Sequence, residues 1–524
     1  MSRWLNAGEI LRVNATLCPD KPGAMDLNRS MTFRQWNDRS CALANALLGM
    51  GLQKGDRFAV IAYNRVEWME IYAAAAKAGL IVVPIMFRLA PPEFEYIIND
   101  SGAKAYIVEA PFVDAVDSVR GRLETVEHYI YMGDGEAPGG YAGYEDSIAK
   151  ASTAEPDVKV DHQDVWTFMY TSGTTGKPKG VVRTHESYIA FYILNVAEMS
   201  FGRDDLGLLV MPMCHVNSIF YSFSFTYAQG GVCVYNMISF DPEHLLRTLA
   251  EKRITFTSLV PTHYIMMLSL PDDIKNKYDV SCVKKLLCSS APARKDTKVG
   301  ILEHFKNSQL FEAYGSTEGG LVTLLRPEDQ MRKLGSIGRE IFGTDVIKLL
   351  DANGNEVPVG EVGELYSRGP ALFTEYWNLP DVTRDAFNGE YFSAGDMGRR
   401  DEDGYYFLVD RKKNMIITGG ENVYPSEVED AVGSHDKVKD VAVIGIPDPK
   451  WGESVKAIVI PHEGVEPSEE LRRELMDWVK GKIAGFKKPK TIDFITDDEM
   501  PRTGTGKILH RALREKYGKW SDQG

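Results

Sequence analysis

The sequence first offers chemistry at residues 170–180, Y-T-S-G-T-T-G-K-P-K-G. Thr171, Ser172, Gly173, Thr174, Thr175 and Gly176 carry a hydroxyl or no side chain, so backbone N–H groups can approach a ligand closely. Lys177 and Lys179 add positive charge. Together these make a cradle for phosphate. A P-loop needs glycine at 171 and a hydroxyl at 178; the chain has Thr171 and Pro178, which excludes it. A solvated Gly/Ser/Thr/Lys linker is the plainer alternative. It is disfavoured because an apolar run, residues 165–170, leads in like a buried strand and Val181-Val182 follows.

A second group stands at residues 314–318. Tyr314 supplies a ring that can stack on a base, Gly315 a tight turn, Ser316 and Thr317 hydroxyl donors for a phosphate, and Glu318 an oxygen ligand for Mg²⁺. Alone this is a common turn sequence. His215 follows another strand-like run, where a histidine is more often a cap than a catalyst. It is read as part of a pocket wall and not as a base. The aromatic run at 217–227, opening on Asn217, is read as the wall of a ligand cavity.

The elements that must carry these groups alternate between helical and strand patterns. Thr32 with Gln35, and Asn64 with Glu67, have the spacing of capping boxes ahead of apolar-periodic runs. Short apolar runs at 57–62, 81–84 and 105–108 then predict a parallel α/β sheet. Runs at 206–213, 254–260, 285–288 and 310–313 each stop at small or polar residues. In an open parallel sheet a ligand lies beyond the carboxyl ends of the strands, so these four turns should share a cleft with the cradle. Residues 326–410 become glycine-punctuated and predict a β-rich subdomain. Beyond them a small α/β domain is expected, with Ser426 and Glu429 starting a short helix and residues 468–484 forming an amphipathic one.

A chain of 524 residues is too long for one ordinary core, so two or more domains are expected. Its 26% charged and 44% hydrophobic residues place it among globular proteins, and a net charge of -14 argues against nucleic acid as a partner. The apolar stretch at 71–87 is interrupted by Lys77, Gly79 and Pro84 and is too short and broken to span a bilayer. No secretory leader pattern opens the sequence, and six cysteines without a C-x-x-C pair suit reduced thiols in a cytoplasm.

The cradle string and the 314–318 string, in this order, resemble the two signatures of the adenylate-forming enzymes: acyl-CoA synthetases, luciferases and adenylation domains. Five ordered motifs carry the resemblance over nearly the whole chain, closest to aryl-CoA and carnitine-type ligases. It implies a large α/β domain with parallel sheets and a β-rich subdomain at 1–411, and a small mobile α+β lid at 412–524. Around ATP it places the cradle, residues Ser290, Ala291 and Pro292, the strand end at Glu312 and Ala313, and Tyr314 to Thr317. Asp396 is placed on the ribose hydroxyls and Arg411 on ribose or phosphate. Lys507, in P-R-T-G-T-G-K, is the lysine expected to bridge carboxylate and α-phosphate. Thr317, Glu318 and Lys507 are implied as catalytic, with Glu318 on Mg²⁺.

Gly419, Gly420 and Glu421 resemble the loop that admits coenzyme A, with Arg88 and Trp451 on its nucleotide end and Lys413 as the hinge. The lysines at 480–490 are read as a solvated face. One departure is Ser289-Ser290-Ala291-Pro292, where many relatives carry Gly-Gly-Ala-Pro, so the size of the acid pocket stays open. The implied activity is an ATP-dependent, AMP-forming carboxylic acid:CoA ligase acting through an acyl-adenylate. A small aromatic, alicyclic or short to medium-chain acid is preferred. A stand-alone adenylation enzyme loading a carrier protein is the alternative, and a homodimer is allowed.

Overall fold

The computed structural model describes residues 4–171, 177–289, 293–418, 421–502 and 508–518. The chain divides into two compact units, one of residues 1–347 and 367–394, the other of 348–366 and 395–524.

The first unit is built on two sheets. In an eight-stranded sheet the strand Arg57–Ile61 lies between Ile81–Ile85 and Ala105–Glu109, all parallel. Val165–Thr171 runs parallel to Ile81–Ile85, and Lys179–Thr184 returns antiparallel beside it, so the two strands that flank the cradle in sequence form a hairpin pair. In a nine-stranded sheet the strands Leu206–Leu209, Phe256–Leu259, Lys285–Ser289 and Gln309–Ser316 are neighbours and parallel. Their carboxyl ends therefore fall on one edge, as the four expected turns require, although the cradle belongs to the other sheet.

One apolar core joins the two sheets, drawing Val60, Val82 and Met169 from one and Leu209, Val232, Phe256 and Leu287 from the other. Helices fill the space between. Val216–Tyr227 is buried on all sides from Val216 to Thr226, which is why its sequence shows no polar face. Phe223 and Phe225 are fully buried core rings, and the first turn of the helix carries Asn217 to the strand ends.

The box at Thr32 forms as expected: Thr32 Oγ1 accepts from Gln35 N at 3.2 Å and Gln35 Oε1 accepts from Thr32 N at 2.9 Å. The one at Asn64 does not. The helix Glu67–Ala78 starts without a side-chain cap. Asn64 instead reaches the other sheet, where Nδ2 lies 3.1 to 3.3 Å from the carbonyls of Val210, Met211 and Tyr235, and Oδ1 accepts from Met213 N at 2.7 Å. Glu67 is held by Arg65 and Arg29, which lower its carboxyl to about 2 against the effect of burial.

In the second unit Lys348–Leu350, Gly363–Tyr366, Asp396–Arg400 and Tyr406–Arg411 make a four-stranded antiparallel sheet. The long hairpin Val438–Asp448 and Gly452–Pro461 centres a five-stranded sheet, with Thr491–Phe494 parallel to its second strand. The helix Pro425–Gly433 opens with proline at its first position. Ser426 is not its cap: its N–H donates to Asp410, and Glu429 accepts from Val443 N. The amphipathic helix is shorter than its pattern, Glu469–Trp478, with Ser468 capping it.

Replacing Asn64 by alanine leaves the Met213 N–H and three carbonyls without this partner. Asn64→Ala should lower stability by about 1–3 kcal/mol. It would be seen as a lower urea midpoint with an unchanged slope in the transition of the large unit.

Candidate active site

The turn after Gln309–Ser316 is shaped by backbone contacts. A Cβ on Gly315 would stand 2.0 Å from the carbonyl oxygen of Gly320, so only glycine lets the two strands close here. Ser316 Oγ accepts from Gly319 N at 2.8 Å and serves the turn itself. Glu318, next along, receives the Tyr376 hydroxyl on Oε1 at 2.9 Å. Lys179 lies over the Tyr376 ring, 3.8 Å from its centre. Burial pushes the Lys179 ammonium below its ordinary value, and the Glu318 charge opposes that. A carboxylate, a phenol and a partly desolvated lysine thus share one corner of the large unit. Lys177, at the end of the cradle, extends over Tyr96 at 5.2 Å.

Glu312 is buried one turn from this corner. Its Oε2 is 2.5 Å from Lys298 Nζ, and its Oε1 accepts from Ala293 N at 3.2 Å. Burial raises the Glu312 carboxyl while Lys298 lowers it. Glu312 therefore anchors the chain where it leaves residues 290–292. At the neighbouring strand ends a polar cluster is buried: Asn217 Nδ2 donates to Ser289 Oγ at 2.7 Å, and Ser258 Oγ lies 3.4 Å from it. His215 caps the helix behind them, its Nδ1 accepting from Asn217 N at 3.3 Å. Arg88 is exposed beside Phe87.

In the second unit Asp396 and Arg411 face each other across a strand pair, and Arg411 Nε is 2.6 Å from Asp396 Oδ1. Asp396 is buried and Arg411 half-exposed. The short turn Lys412–Asn414 follows, and Arg514 donates to the carbonyls of Lys413 and Asn414, each at 3.0 Å. Glu421 is exposed on a short strand. Trp451 has 42% of its surface exposed, with the ammonium groups of Lys450 and Lys490 at 4.7 and 5.8 Å from its ring. Its fate is thus not the core burial usual for tryptophan.

Ser172, Gly173, Thr174, Thr175, Gly176, Ser290, Ala291, Pro292, Gly419, Gly420 and Lys507 lie outside the described residues. Tyr314, Thr317, Ala313 and Glu318 fall together with Lys179 in the large unit; Asp396, Arg411, Lys413 and Trp451 belong to the second. Sequence reasoning missed Tyr376, Lys298 and Arg183, the last a charge inside the apolar run V-V-R-T. That interruption was the only signal any of the three left.

Comparison with known proteins gives this arrangement its class. The family model described as AMP-binding enzyme matches residues 11–377, and the AMP-binding enzyme C-terminal domain matches 427–507. The chain belongs to the AMP-binding enzyme family. It is 35% identical over 523 residues, covering 98% of both chains, to a long-chain-fatty-acid–CoA ligase, FadD13, of Mycobacterium tuberculosis. It is 34% identical to a feruloyl-CoA synthase of Amycolatopsis sp, covering 96% of this chain and 97% of the other. The crystal structure of the anthranilate CoA ligase AuaEII with anthranoyl-AMP superimposes with a TM-score of 0.88 at 29% identity, covering 98% of each chain. Within the family the protein is an AMP-forming acid–thiol ligase.

Removing Lys298 would strand the Glu312 carboxylate in the interior. Lys298→Met should cost about 3–5 kcal/mol, and K298M/E312L should recover most of it. Thermal unfolding of the two variants checks this, and the double variant, which lacks the carboxylate that accepts from Ala293 N, should bind ATP more weakly than Lys298→Met.

Proposed function

We propose that this acid:CoA ligase activates a small aromatic, alicyclic or short to medium-chain carboxylic acid, and that the sites inferred from sequence carry its two half-reactions. The observation that carries the choice of acid is the buried Asn217–Ser289–Ser258 cluster at the strand ends. Amide and hydroxyl groups there, already paired with one another, could also bond an acid's own polar substituent, whereas a long alkyl tail would gain nothing from them. The feruloyl and anthranoyl groups named for two relatives have that character.

In the first half-reaction an oxygen of the carboxylate attacks the α-phosphorus of ATP, and the bond to the β-phosphate breaks to release pyrophosphate. In the second the CoA thiolate attacks the carbonyl carbon of the acyl-adenylate, and its bond to the phosphate oxygen breaks to release AMP. The first step brings anions together, so it requires cations already in place. We assign Lys177, Lys179 and Lys507 to this task, with the cradle hydroxyls and N–H groups at 171–176. Tyr314 and the 290–292 segment would hold the adenine, Asp396 the ribose and Arg411 ribose or phosphate. His215 and Asn217 would border the acid.

Glu318 fits Mg²⁺, because a hard carboxylate oxygen held by a phenol hydroxyl is the donor that ion prefers. When bound, Mg²⁺ spreads the negative charge of the triphosphate. Thr317 and Glu318 would orient that charge towards the lysines. The lid is proposed to comprise 412–524 and to turn about Lys413, presenting Lys507 and then the 419–421 loop. Trp451, exposed between two lysines, would stack the CoA adenine, with Arg88 on its phosphate. Six unpaired cysteines support a cytoplasmic setting. Among the described residues no helix is long and apolar enough to cross a membrane.

Pyrophosphate release across acids of graded size, with and without CoA, tests the choice of acid. Turnover should peak with small aromatic or alicyclic acids, and a peak at long alkyl chains would reject the pocket reading. Lys507→Ala should reduce adenylate formation about 10²- to 10³-fold, by the precedent of a lost oxyanion donor. It should spare thioester formation from supplied acyl-AMP; equal losses in both half-reactions would refute its role. Trp451→Ala should raise KM for CoA and leave adenylate formation unchanged.

A further inference from the structure

Arg183 lies in the return strand of the cradle hairpin, Lys179–Thr184, and its side chain is fully buried. Nη1 donates to the carbonyl of Thr317 at 2.7 Å and approaches that of Glu318 at 3.5 Å, while Nη2 donates to the carbonyl of Ala371 at 2.7 Å. Arg183 belongs to the eight-stranded sheet and Thr317 follows a strand of the nine-stranded one, so a single guanidinium joins the cradle hairpin to the catalytic turn. Its faces rest on Tyr188 and Phe220, 4.9 and 5.0 Å from the ring centres, and Nε has no hydrogen-bond partner among the described residues. Among the described residues no carboxylate is within ion-pairing distance of it. The carboxylate that supports its charge at longer range is Glu318, while burial works against that charge.

A buried cation held by carbonyls and rings is expensive to keep. An apolar side chain would fill the space without that penalty, so the position calls for a reason. Two follow from the geometry. Pinning the Thr317 carbonyl sets the peptide plane from which Thr317 and Glu318 project. The charges of Arg183 and Lys179, both within electrostatic reach of Glu318, also offset the carboxylate. Such a site attracts a bare divalent cation weakly and a metal–nucleotide complex, which is a net anion, strongly.

We propose that Arg183 is a positioning residue that holds the Thr317–Glu318 turn and makes Glu318 select the metal–ATP complex over the free metal. This rests on the assignment of Glu318 to the metal of the ligase reaction.

The test compares wild type, Arg183→Met and Arg183→Lys, with Mn²⁺ as the probe and its binding read by electron paramagnetic resonance, alone and with ATP. Arg183→Met should bind free Mn²⁺ severalfold more tightly and Mn·ATP more weakly, a pair of opposite shifts that loss of structure does not produce. Its adenylate formation should fall about 10²-fold, the effect of a displacement near 1 Å. Thioester formation from supplied acyl-AMP should change little. Arg183→Lys keeps the charge but cannot reach both carbonyls. It should retain the weak binding of free Mn²⁺ and still lose adenylate formation.

Unchanged or parallel metal shifts in Arg183→Met, or equal losses in both half-reactions, would overturn the proposal. Should Arg183→Met fail to fold, Arg183→Lys decides: normal adenylate formation in that variant overturns the proposal, and a loss with thioester formation spared supports it. Wild-type enzyme releasing no pyrophosphate with any acid would sink the ligase reading instead, and the Mn²⁺ titrations would still decide for or against Arg183.

Discussion

Two sheets can be packed face to face by apolar burial, but that force has no direction and does not say where the strand ends must fall. A site assembled from the ends of strands in different sheets needs ties that do. Asn64 and Arg183 are such ties: both reach from the eight-stranded sheet to backbone groups of the nine-stranded one. Trp166 Nε1, bonded to the carbonyl of Tyr72 at 3.0 Å, anchors the strand that leads into the cradle. Hydrogen bonds in a dry interior are short-ranged and angular, so a slip of either sheet would break them. The aromatic core supplies the cohesion and these polar ties supply the register.

The same constraint explains how an acidic chain binds a triphosphate. With a net charge of -14 the surface repels anions, and the cations that matter must be held close together. Lys179 and Arg183 both lie on the hairpin strand Lys179–Thr184, one on the ring of Tyr376 and the other beneath the Thr317 carbonyl. Their charges are partly desolvated, which strengthens their reach over short distances and keeps them ordered before a substrate arrives. Such preorganisation is what the proposed electrostatic role of Lys179 would require, while Arg183, whose donors are taken by the Thr317 and Ala371 carbonyls, would act by holding the turn in place.

Much of the fold was legible because it rests on periodicity. Parallel strands in both sheets, the capping box at Thr32 and the common edge for four strand ends all follow from local pattern and apolar spacing. What escaped depends on partners far away in sequence. Asn64 and Glu67 have the spacing of a helix start, yet the amide serves a sheet about 150 positions onward, and no local rule contains that information. Phe223 and Phe225 have the composition of a pocket wall or of a core, and only packing distinguishes them. Trp451 looks like a core residue until two lysines are found beside an exposed ring. Family resemblance named the chemical residues, but it was silent on Tyr376, Lys298 and Arg183, whose roles are to hold others in place.

In the second unit the contacts around Lys413 bear on the proposed turning of the lid. The Asp410 carboxylate accepts from Ser426 N at 2.9 Å and from Arg411 N at 2.5 Å, and Asn414 Nδ2 is 3.4 Å away. Arg514, on the helix His510–Tyr517, grips the carbonyls of Lys413 and Asn414. Rotation about ψ of Lys413 carries both carbonyls along with everything downstream, so the Arg514 grip survives the motion. The bonds to Asp410 from Ser426 N and Asn414 Nδ2, and that from Ser426 Oγ to the Val409 carbonyl, span the proposed pivot and would have to break. Contacts that hold the far side together while those across the pivot exchange would concentrate the torsional change at one backbone position. These contacts are what the proposed pivot at Lys413 would need, and Asn414, Ser426 and Arg514, which make them with Asp410 and Lys413, lie outside the motifs that carried the family resemblance.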